Sequence, residues 1–188
     1  MEMKEKEINV YNYVNKELGP MMLLHQYEGG SMNNSQFICV SKPLSKLQVQ
    51  QFATPTKTSL KGKFGHAIYS HDLECRRGEL RIGSLESNEL GKGIEHDLLS
   101  AIAMLANKKH WYTKLKTDSP YDTVDMYKRF GFQCSGSAEL VSRIFAAMDI
   151  GAGTVKMTAS LNGLYYAYHT KFRKDQVLSA LATQALQQ

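Results

Sequence analysis

A glycine-bearing turn in the middle of the chain has the composition of a phosphate-binding site. Residues 79–102 read ELRIGSLESNELGKGIEHDLLSAI, an alternating run followed by a turn and then by apolar residues at helical spacing. Glycines in such a turn let backbone N–H groups approach a ligand without hindrance from a Cβ atom, and a helix N-terminus adds unpaired N–H donors and a partial positive charge. The lysine of the turn supplies a full charge. The pattern therefore predicts a pyrophosphate cradle that consists of Leu90, Gly91, Lys92, Gly93 and Ile94.

Short glycine motifs also recur by chance, so the same turn has a second interpretation as a tight connection between a strand and a helix. It is not a P-loop, because the pattern GxxxxGK[ST] is absent from the sequence. It is not a dinucleotide-binding GxGxxG motif either, because residues 95–97 supply no third glycine. The turn alone leaves both interpretations open.

Strands and helices alternate along the rest of the chain. Apolar runs and alternation predict strands at residues 37–40, 64–70, 79–86, 111–117, 132–135, 154–161 and 164–170. Helical spacing predicts helices at residues 8–18, 94–106, 119–130 and 140–148 and after Asp175. Residues 28–35 have the composition of a loop, and Asn162-Gly163 predicts a type I′ hairpin. We therefore expect an α/β (α+β) fold with a mixed central sheet flanked by helices and a C-terminal β-hairpin and helix.

Three helix ends carry recognisable capping residues. Ser119-Pro120 has the types preferred at the N-cap and the first position of a helix. Gly131 is a C-terminal stop for the same helix. Asp175 predicts the N-cap of the last helix.

Length, charge and cysteine content limit the class of protein. The 188 residues suit one domain, residues 1–188, and the net charge of +5 suits an anionic ligand without indicating nucleic acid. Cys39, Cys75 and Cys134 lie far apart without a CxxC pair, so we expect reduced thiols and no metal site. The N-terminus lacks the apolar segment of a signal peptide, and the longest apolar run, residues 98–106, is too short to span a bilayer. We expect a soluble, cytoplasmic protein without a membrane partner.

Three stretches resemble motifs of the GNAT superfamily of acyl-CoA N-acyltransferases. LGKGIEHDLL, residues 90–99, resembles motif A, in which a strand is followed by R/Q-x-x-G-x-G/A and a helix with a pair of leucines. DTVDMYKRFGF, residues 122–132, resembles the superfamily's helix that ends in Tyr-x-x-x-Gly-Phe, and TVKMTASL, residues 154–161, resembles its late strand with a methionine. The order and separation of the motifs agree over residues 64–161. The resemblance implies a GNAT-like core there, with an atypical N-terminal third and C-terminal hairpin plus helix.

The resemblance also implies a reaction, the direct transfer of an acyl group, most simply acetyl, from coenzyme A to an amine. Tyr127 lies at the position of the family's usual acid, which protonates the departing thiolate. Glu79 lies where some members, including histone-acetyltransferase types, carry a base. Main-chain groups of Leu85 and Ser87 would hold the pantetheine arm and the acyl carbonyl. The implied co-substrate is acetyl-CoA, and no metal is implied.

Each catalytic candidate also has a plainer interpretation. Tyr127 could be a packing residue at the end of its helix, and Glu79 a solvated charge at the start of a strand. His66, His71 and Asp72, near the adjoining strand, are competing bases.

Two other functions stay open at this stage. Leu90 replaces the family's Arg or Gln and Glu95 its last Gly or Ala, which favours a catalytically inactive GNAT-like module that binds acyl-CoA or a protein partner. A nucleic-acid-binding protein is the third interpretation, although its basic residues form only a modest cluster at residues 57–63. The class of amine acceptor (small molecule, protein or aminoacyl-tRNA) and the oligomeric state, a homodimer included, are left open.

Overall fold

The computed structural model describes residues 6–28, 31–41, 65–70, 78–89, 91–108, 112–148, 153–161 and 171–186. Eight strands in these ranges form one sheet: β1 (Lys6–Asn15), β2 (Gly19–Glu28), β3 (Ser31–Ser41), β4 (Gly65–Ser70), β5 (Glu79–Ser87), β6 (Lys114–Pro120), β7 (Thr154–Ser160) and β8 (Arg173–Asp175). Their order along the sheet is β7-β6-β5-β4-β3-β2-β1-β8. Every neighbouring pair is antiparallel except β5 and β6, which are parallel. The predicted mixed sheet is confirmed.

Within the same ranges, four α-helices accompany the sheet: α1 (Ile94–Lys108), α2 (Val124–Phe130), α3 (Gly136–Ala147) and α4 (Gln176–Ala185). A short 3₁₀ turn, Tyr121–Thr123, precedes α2. Parallel neighbours in a sheet need a crossover connection, and helix α1 provides this connection between β5 and β6. The N-terminus of α1 therefore lies at the end of the sheet where β5 and β6 finish.

The sheet is covered on both faces, by different helices. On one face, α1 and α2 share a core with the inward side chains of the strands. The fully buried side chains of α1 include Ile94, Leu98, Leu99 and Ile102. On the other face, α4 covers β1 to β3, where Val10 and Ala182 are completely buried. Burial of a single Leu or Ile side chain contributes about 1.5–3 kcal/mol, so α1 is held chiefly by its apolar face.

Up to Ile82 and Thr117, where they pair with each other, β5 and β6 alternate between the two faces of the sheet. Leu80 and Ile82 of β5 and Leu115 of β6 are buried beneath the helices. Because successive strand residues point to opposite faces, Glu79 and Lys116 lie on the face that α1 does not cover. The helix-covered face and the charged face are thus distinct near the site.

Several predicted elements are confirmed. The strands at residues 64–70 and 79–86 are β4 and β5, and the predicted helix at residues 94–106 is α1. Gly131 ends α2 with φ of 113°, in the left-handed region. Asp175 caps α4 by accepting a hydrogen bond from the Leu178 N–H at 3.0 Å.

The predicted helix at residues 8–18 is wrong, since this segment forms β1. The reason is that both faces of β1 are covered. Ile8 and Val10 are buried in the core beneath α4, whereas Tyr11 and Tyr13 are buried in the core beneath α1. Apolar residues therefore occur at both odd and even positions of the strand, and this pattern resembles helical spacing.

Three boundaries also differ from prediction. Residues 31–35, predicted as a loop, belong to β3. Ser119-Pro120 ends β6 instead of starting a helix, because Ser119 is paired with Val155 and the following 3₁₀ turn has no side-chain cap. Residues 132–135 form only an isolated bridge, from Gln133 to Thr158.

Some predictions fall outside the described residues: Leu90, the competing bases His71 and Asp72, the basic cluster at residues 57–63 and the hairpin at Asn162-Gly163. Among the described helices, none is long and apolar enough to cross a membrane.

Gly65 tests the packing between β4 and the start of α1. A Cβ atom at Gly65 would lie 2.5 Å from the Glu86 backbone oxygen and 2.7 Å from Cγ2 of Ile94. We expect Gly65→Ala to lower the free energy of unfolding by about 1–3 kcal/mol, measured by urea denaturation, because a packed interior cannot absorb the extra methyl group. Gly136→Ala is the control, since a Cβ atom at Gly136 meets nothing within 4 Å. Equal stabilities of the two variants would contradict this packing.

Candidate active site

The two parallel strands β5 and β6 separate at the end where α1 begins. They pair from Glu79 with Lys114 to Ile82 with Thr117. Beyond these pairs, β5 stays with β4 up to Ser87, and β6 stays with β7 up to Pro120. A gap therefore opens between the carboxyl ends of β5 and β6. Among the described residues, no strand pairs with the inner edges of this gap.

A bulge lies on β5 next to this gap. Ile82 is opposite Tyr69 and Ser84 is opposite Ile68, so β5 has one additional residue, Gly83, between these pairs. Bulges bend a strand and change which face the following side chains point to. Leu85 consequently packs against the core beneath the helices, as Ile82 does.

The predicted phosphate turn has the conformation that its glycines allow. Gly91 and Gly93 both have φ of 73°. A Cβ atom at Gly91 would meet nothing within 4 Å, so the requirement for glycine there is conformational and does not come from crowding. The Lys92 N–H donates to Glu89 O at 3.3 Å, and the Ser87 hydroxyl bonds both the N–H and the carbonyl oxygen of Glu89 at 3.2 Å.

Helix α1 directs its first N–H groups toward this turn. Its first described helical hydrogen bond joins the Asp97 N–H to Gly93 O at 3.0 Å. The first N–H groups of an α-helix have no acceptor within the helix, and here these include the N–H groups of Ile94 and Glu95. Ile94 is 0% exposed, backbone included, and belongs to the core beneath α1.

Tyr127 lies at the point where β5 and β6 separate. Its ring is 5% exposed and packs edge-on against Phe132, with ring centroids 5.2 Å apart. Its side chain interacts with that of Thr117, the last residue of β6 that pairs with β5. Burial raises the pKa of Tyr127 above its usual value, and the bond to Thr117 only partly opposes this shift. The phenol is therefore protonated at neutral pH.

Glu79 lies apart from Tyr127. It is the first residue of β5, and its carboxylate is 3.8 Å from Nζ of Lys116. It points to the face that α1 and α2 leave uncovered, three residues before the strands separate. A strand rises about 3.3 Å per residue, which places Glu79 about 10 Å before the gap along β5.

A buried polar network adjoins the turn and was not predicted from the sequence. The Asp97 carboxylate, 3% exposed, forms an ion pair with Lys171 and accepts a hydrogen bond from Nδ2 of Asn15 at 2.7 Å. The same Nδ2 donates to Lys92 O at 2.8 Å. Sequence offered one signal, since Asp97 stands on the apolar stripe of α1, where a charge needs a buried partner.

A cavity of about 600 Å³ lies between this network and the turn. Its lining includes Lys16, Gly91, Lys92, Gly93, His96 and Lys171. The His96 ring packs edge-on against Phe130, with centroids 5.2 Å apart. Burial, together with the charge of Lys171, lowers the pKa of His96, so its ring is neutral at pH 7 and the lysines carry the positive charge here. No group of three or more metal-ligating side chains occurs in the described part of the chain.

The chain matches no family model and no curated protein. It is similar to solved structures, among them nourseothricin acetyltransferase, with 13% identity and a TM-score of 0.45 over 85% of this chain and 89% of that one. N-acetylglutamate synthase from Neisseria gonorrhoeae, complexed with coenzyme A and N-acetyl-glutamate, gives 17% identity and a TM-score of 0.42 over 67% of this chain and 25% of that one. Ard1 from Thermoplasma volcanium gives 13% identity and a TM-score of 0.39 over 66% and 97%. Such identities and TM-scores say nothing about the substrate of this chain.

The predicted fold class, a mixed sheet flanked by helices, is confirmed. The stretch predicted as a strand, a turn and a helix forms β5, the turn and α1 in that order.

The Asp97–Lys171 pair should be essential for stability. Removing one partner of a buried ion pair leaves the other charge uncompensated, which costs about 3–5 kcal/mol. We expect Lys171→Met, which retains the aliphatic stem beside Tyr13 and Phe172, to lower the free energy of unfolding by about 3 kcal/mol in urea denaturation at pH 7. The control is Arg143→Ala, which breaks an exposed pair with Glu139 and should have a much smaller effect. Similar losses in the two variants would contradict a buried role for the pair.

Proposed function

We propose that the chain is an N-acetyltransferase that transfers acetyl from acetyl-CoA to an amine by direct attack. The observation that carries the proposal is a juxtaposition at one end of the sheet. A glycine turn that presents helix N–H groups and a buried, protonated tyrosine both adjoin the gap between two parallel strands. A phosphate-bearing thioester needs these three elements, an anion cradle, an extended slot and a proton donor.

The cradle would bind the pyrophosphate of coenzyme A. The exposed N–H groups of Gly91 and Gly93 and the charge of Lys92 would contact the anion, with the partial positive charge of the α1 N-terminus behind them. From there the pantetheine arm would enter the gap. Backbone groups of Leu85 and Ser87, on the free edge of β5, would bond the arm and polarise the thioester carbonyl.

The proposed transfer balances as one substitution at the acyl carbon. The amine nitrogen forms a bond to the carbonyl carbon, the carbon–sulfur bond breaks, and the thiolate leaves with the electron pair. Tyr127 donates its proton to the thiolate and is later reprotonated from solvent. A pKa raised by burial keeps this phenol protonated at neutral pH, as a general acid requires.

We propose Glu79 as the base that removes the proton of the attacking amine. It lies on the opposite face of the sheet from Tyr127, so the amine would approach the gap from the charged face. Because Glu79 lies about 10 Å before the gap, the proton would reach it through water.

A second candidate function is a catalytically inactive module that binds acyl-CoA or a protein partner. One observation favours it: both Glu95 and Asp97 are in the first turn of α1. Asp97 is neutralised by Lys171, but Glu95 is partly exposed beside the proposed pyrophosphate position. Two unit charges about 4 Å apart repel by roughly 1 kcal/mol in water, which would weaken the cradle.

The cradle is tested by two isosteric substitutions at one position. Gly93 has positive φ, which Asn and Asp tolerate better than most residues, so the two variants differ mainly in charge. We expect Gly93→Asp to bind coenzyme A at least about tenfold more weakly than Gly93→Asn in titration calorimetry, since a carboxylate repels the pyrophosphate. The difference should shrink at high salt because screening weakens charge effects. Equal affinities of the two variants would place the pyrophosphate elsewhere.

Catalysis is tested at Tyr127. Tyr127→Phe retains the ring and its packing but removes the proton donor. Turnover of acetyl-CoA with a panel of amines, measured by release of free thiol, should fall by about 10²–10⁴, while the affinity for coenzyme A is unchanged. Tyr11→Phe, at another buried tyrosine of the same core, should turn over like wild type.

Two outcomes would decide against this role. If Tyr127→Phe turns over at the wild-type rate, Tyr127 is a packing residue. If wild type binds coenzyme A but acetylates no amine, the inactive module replaces the enzyme.

A further inference from the structure

Asn15 joins three segments of the chain that are remote in sequence. It ends β1, is 3% exposed, and lies 77 residues from the turn whose carbonyl it contacts. Its Nδ2 donates to Lys92 O at 2.8 Å and to Asp97 at 2.7 Å. Its Oδ1 accepts from the N–H groups of Glu17 at 2.9 Å and Leu18 at 3.0 Å.

These contacts use the whole hydrogen-bonding capacity of the amide. A side-chain amide has two N–H donors and an oxygen with two lone pairs. The oxygen must face the two backbone N–H groups, and the nitrogen must face the carbonyl and the carboxylate, so the network determines the orientation of the group. Lys171 is paired with the other oxygen of Asp97, so the carboxylate that holds Asn15 is itself fixed.

The contact with Lys92 O has a consequence for the glycine turn. A trans peptide unit is planar, and its C=O and N–H point in opposite directions. The described chain contains no cis peptide bond. Because Asn15 holds the Lys92 carbonyl, the Gly93 N–H of the same peptide unit must point away from Asn15. A glycine at positive φ rotates easily, and without this bond the peptide could turn its N–H elsewhere.

We propose that Asn15 is a positioning residue for the acyl-CoA pyrophosphate. It fixes the peptide between Lys92 and Gly93, so that the Gly93 N–H stays directed toward the anion. The turn between β1 and β2, residues 15–19, thereby holds the glycine turn in its conformation. This inference rests on the proposed function, because it presumes that the glycine turn binds the pyrophosphate.

The test uses two variants: one removes the amide of Asn15, and the other exchanges the amide and the carboxylate between positions 15 and 97. Asn15→Ala removes all four hydrogen bonds, so it should lower both stability and affinity for coenzyme A. The double variant Asn15→Asp/Asp97→Asn retains one carboxylate and one amide in the network and an acceptor for Glu17 and Leu18. It leaves Lys92 O without a donor at position 15, since a carboxylate has none.

The expected results distinguish a positioning role of Asn15 from a purely structural role. Calorimetry on the full chain, under conditions where every variant is folded, should show that Asn15→Ala binds coenzyme A about tenfold or more weakly, as loss of one directed hydrogen bond implies. The exchange variant keeps an acceptor for Glu17 and Leu18 but has no donor to Lys92 O at position 15, so it should bind coenzyme A as weakly as Asn15→Ala. The matched control is Asn12→Ala, on the same strand as Asn15. This variant removes an amide–carboxylate bond to Asp175 and should bind coenzyme A like wild type.

The failures are distinguishable. If wild type does not bind coenzyme A, the proposed function fails and the inference fails with it. If wild type binds and Asn15→Ala binds equally well, only the positioning role is overturned. If the exchange variant binds coenzyme A like wild type, the donor to the Lys92 carbonyl is not needed, and the positioning role of Asn15 is overturned.

Discussion

The position of the candidate site follows from one constraint, the parallel pairing of β5 with β6. Two parallel neighbours cannot be joined by a tight turn, so the chain must cross the whole length of the sheet between them. That crossing is α1, and it has to begin where β5 ends. The carboxyl ends of both strands and the N-terminus of α1 consequently meet at one end of the sheet. In sheets with this connection, ligands bind outside the carboxyl ends of the strands.

The electrostatics at the start of α1 depend on which charges are neutralised. Asp97 in the first turn would reduce the positive potential of the helix N-terminus, which favours anions. Its pairing with Lys171 cancels that contribution, and the cost of burying the carboxylate is offset by two hydrogen-bonding partners. Lys92 then adds positive charge at the turn, and Glu95 subtracts part of it. The balance between these two partly exposed residues would decide how strongly the turn attracts a pyrophosphate.

Sequence predicted the parts of the site that depend on local pattern. The alternation of β5, the two glycines and the stripe of α1 are contiguous, so the strand, turn and helix were placed correctly. The N-terminal strand β1 was not predicted, because a strand that is buried on both faces has no simple alternation of apolar and polar residues. The contacts from Asn15 and Lys171 to Asp97 span 82 and 74 residues, and no periodicity reports a pairing between such remote segments. The separation of β5 from β6 was likewise unpredicted, since it depends on the partners that β4 and β7 provide.

The arrangement around the gap separates the two proton transfers of the proposed reaction. Tyr127 approaches the gap from the helix-covered face, where burial favours the neutral phenol. Glu79 is on the other face, where its carboxylate lies 3.8 Å from Nζ of Lys116. An acid and a base that act at the same pH need different environments, and the sheet between Tyr127 and Glu79 keeps their environments different. In the proposed reaction a thioester in the gap would reach both faces, so the separation of the two strands would both admit the acyl donor and connect the acid with the base.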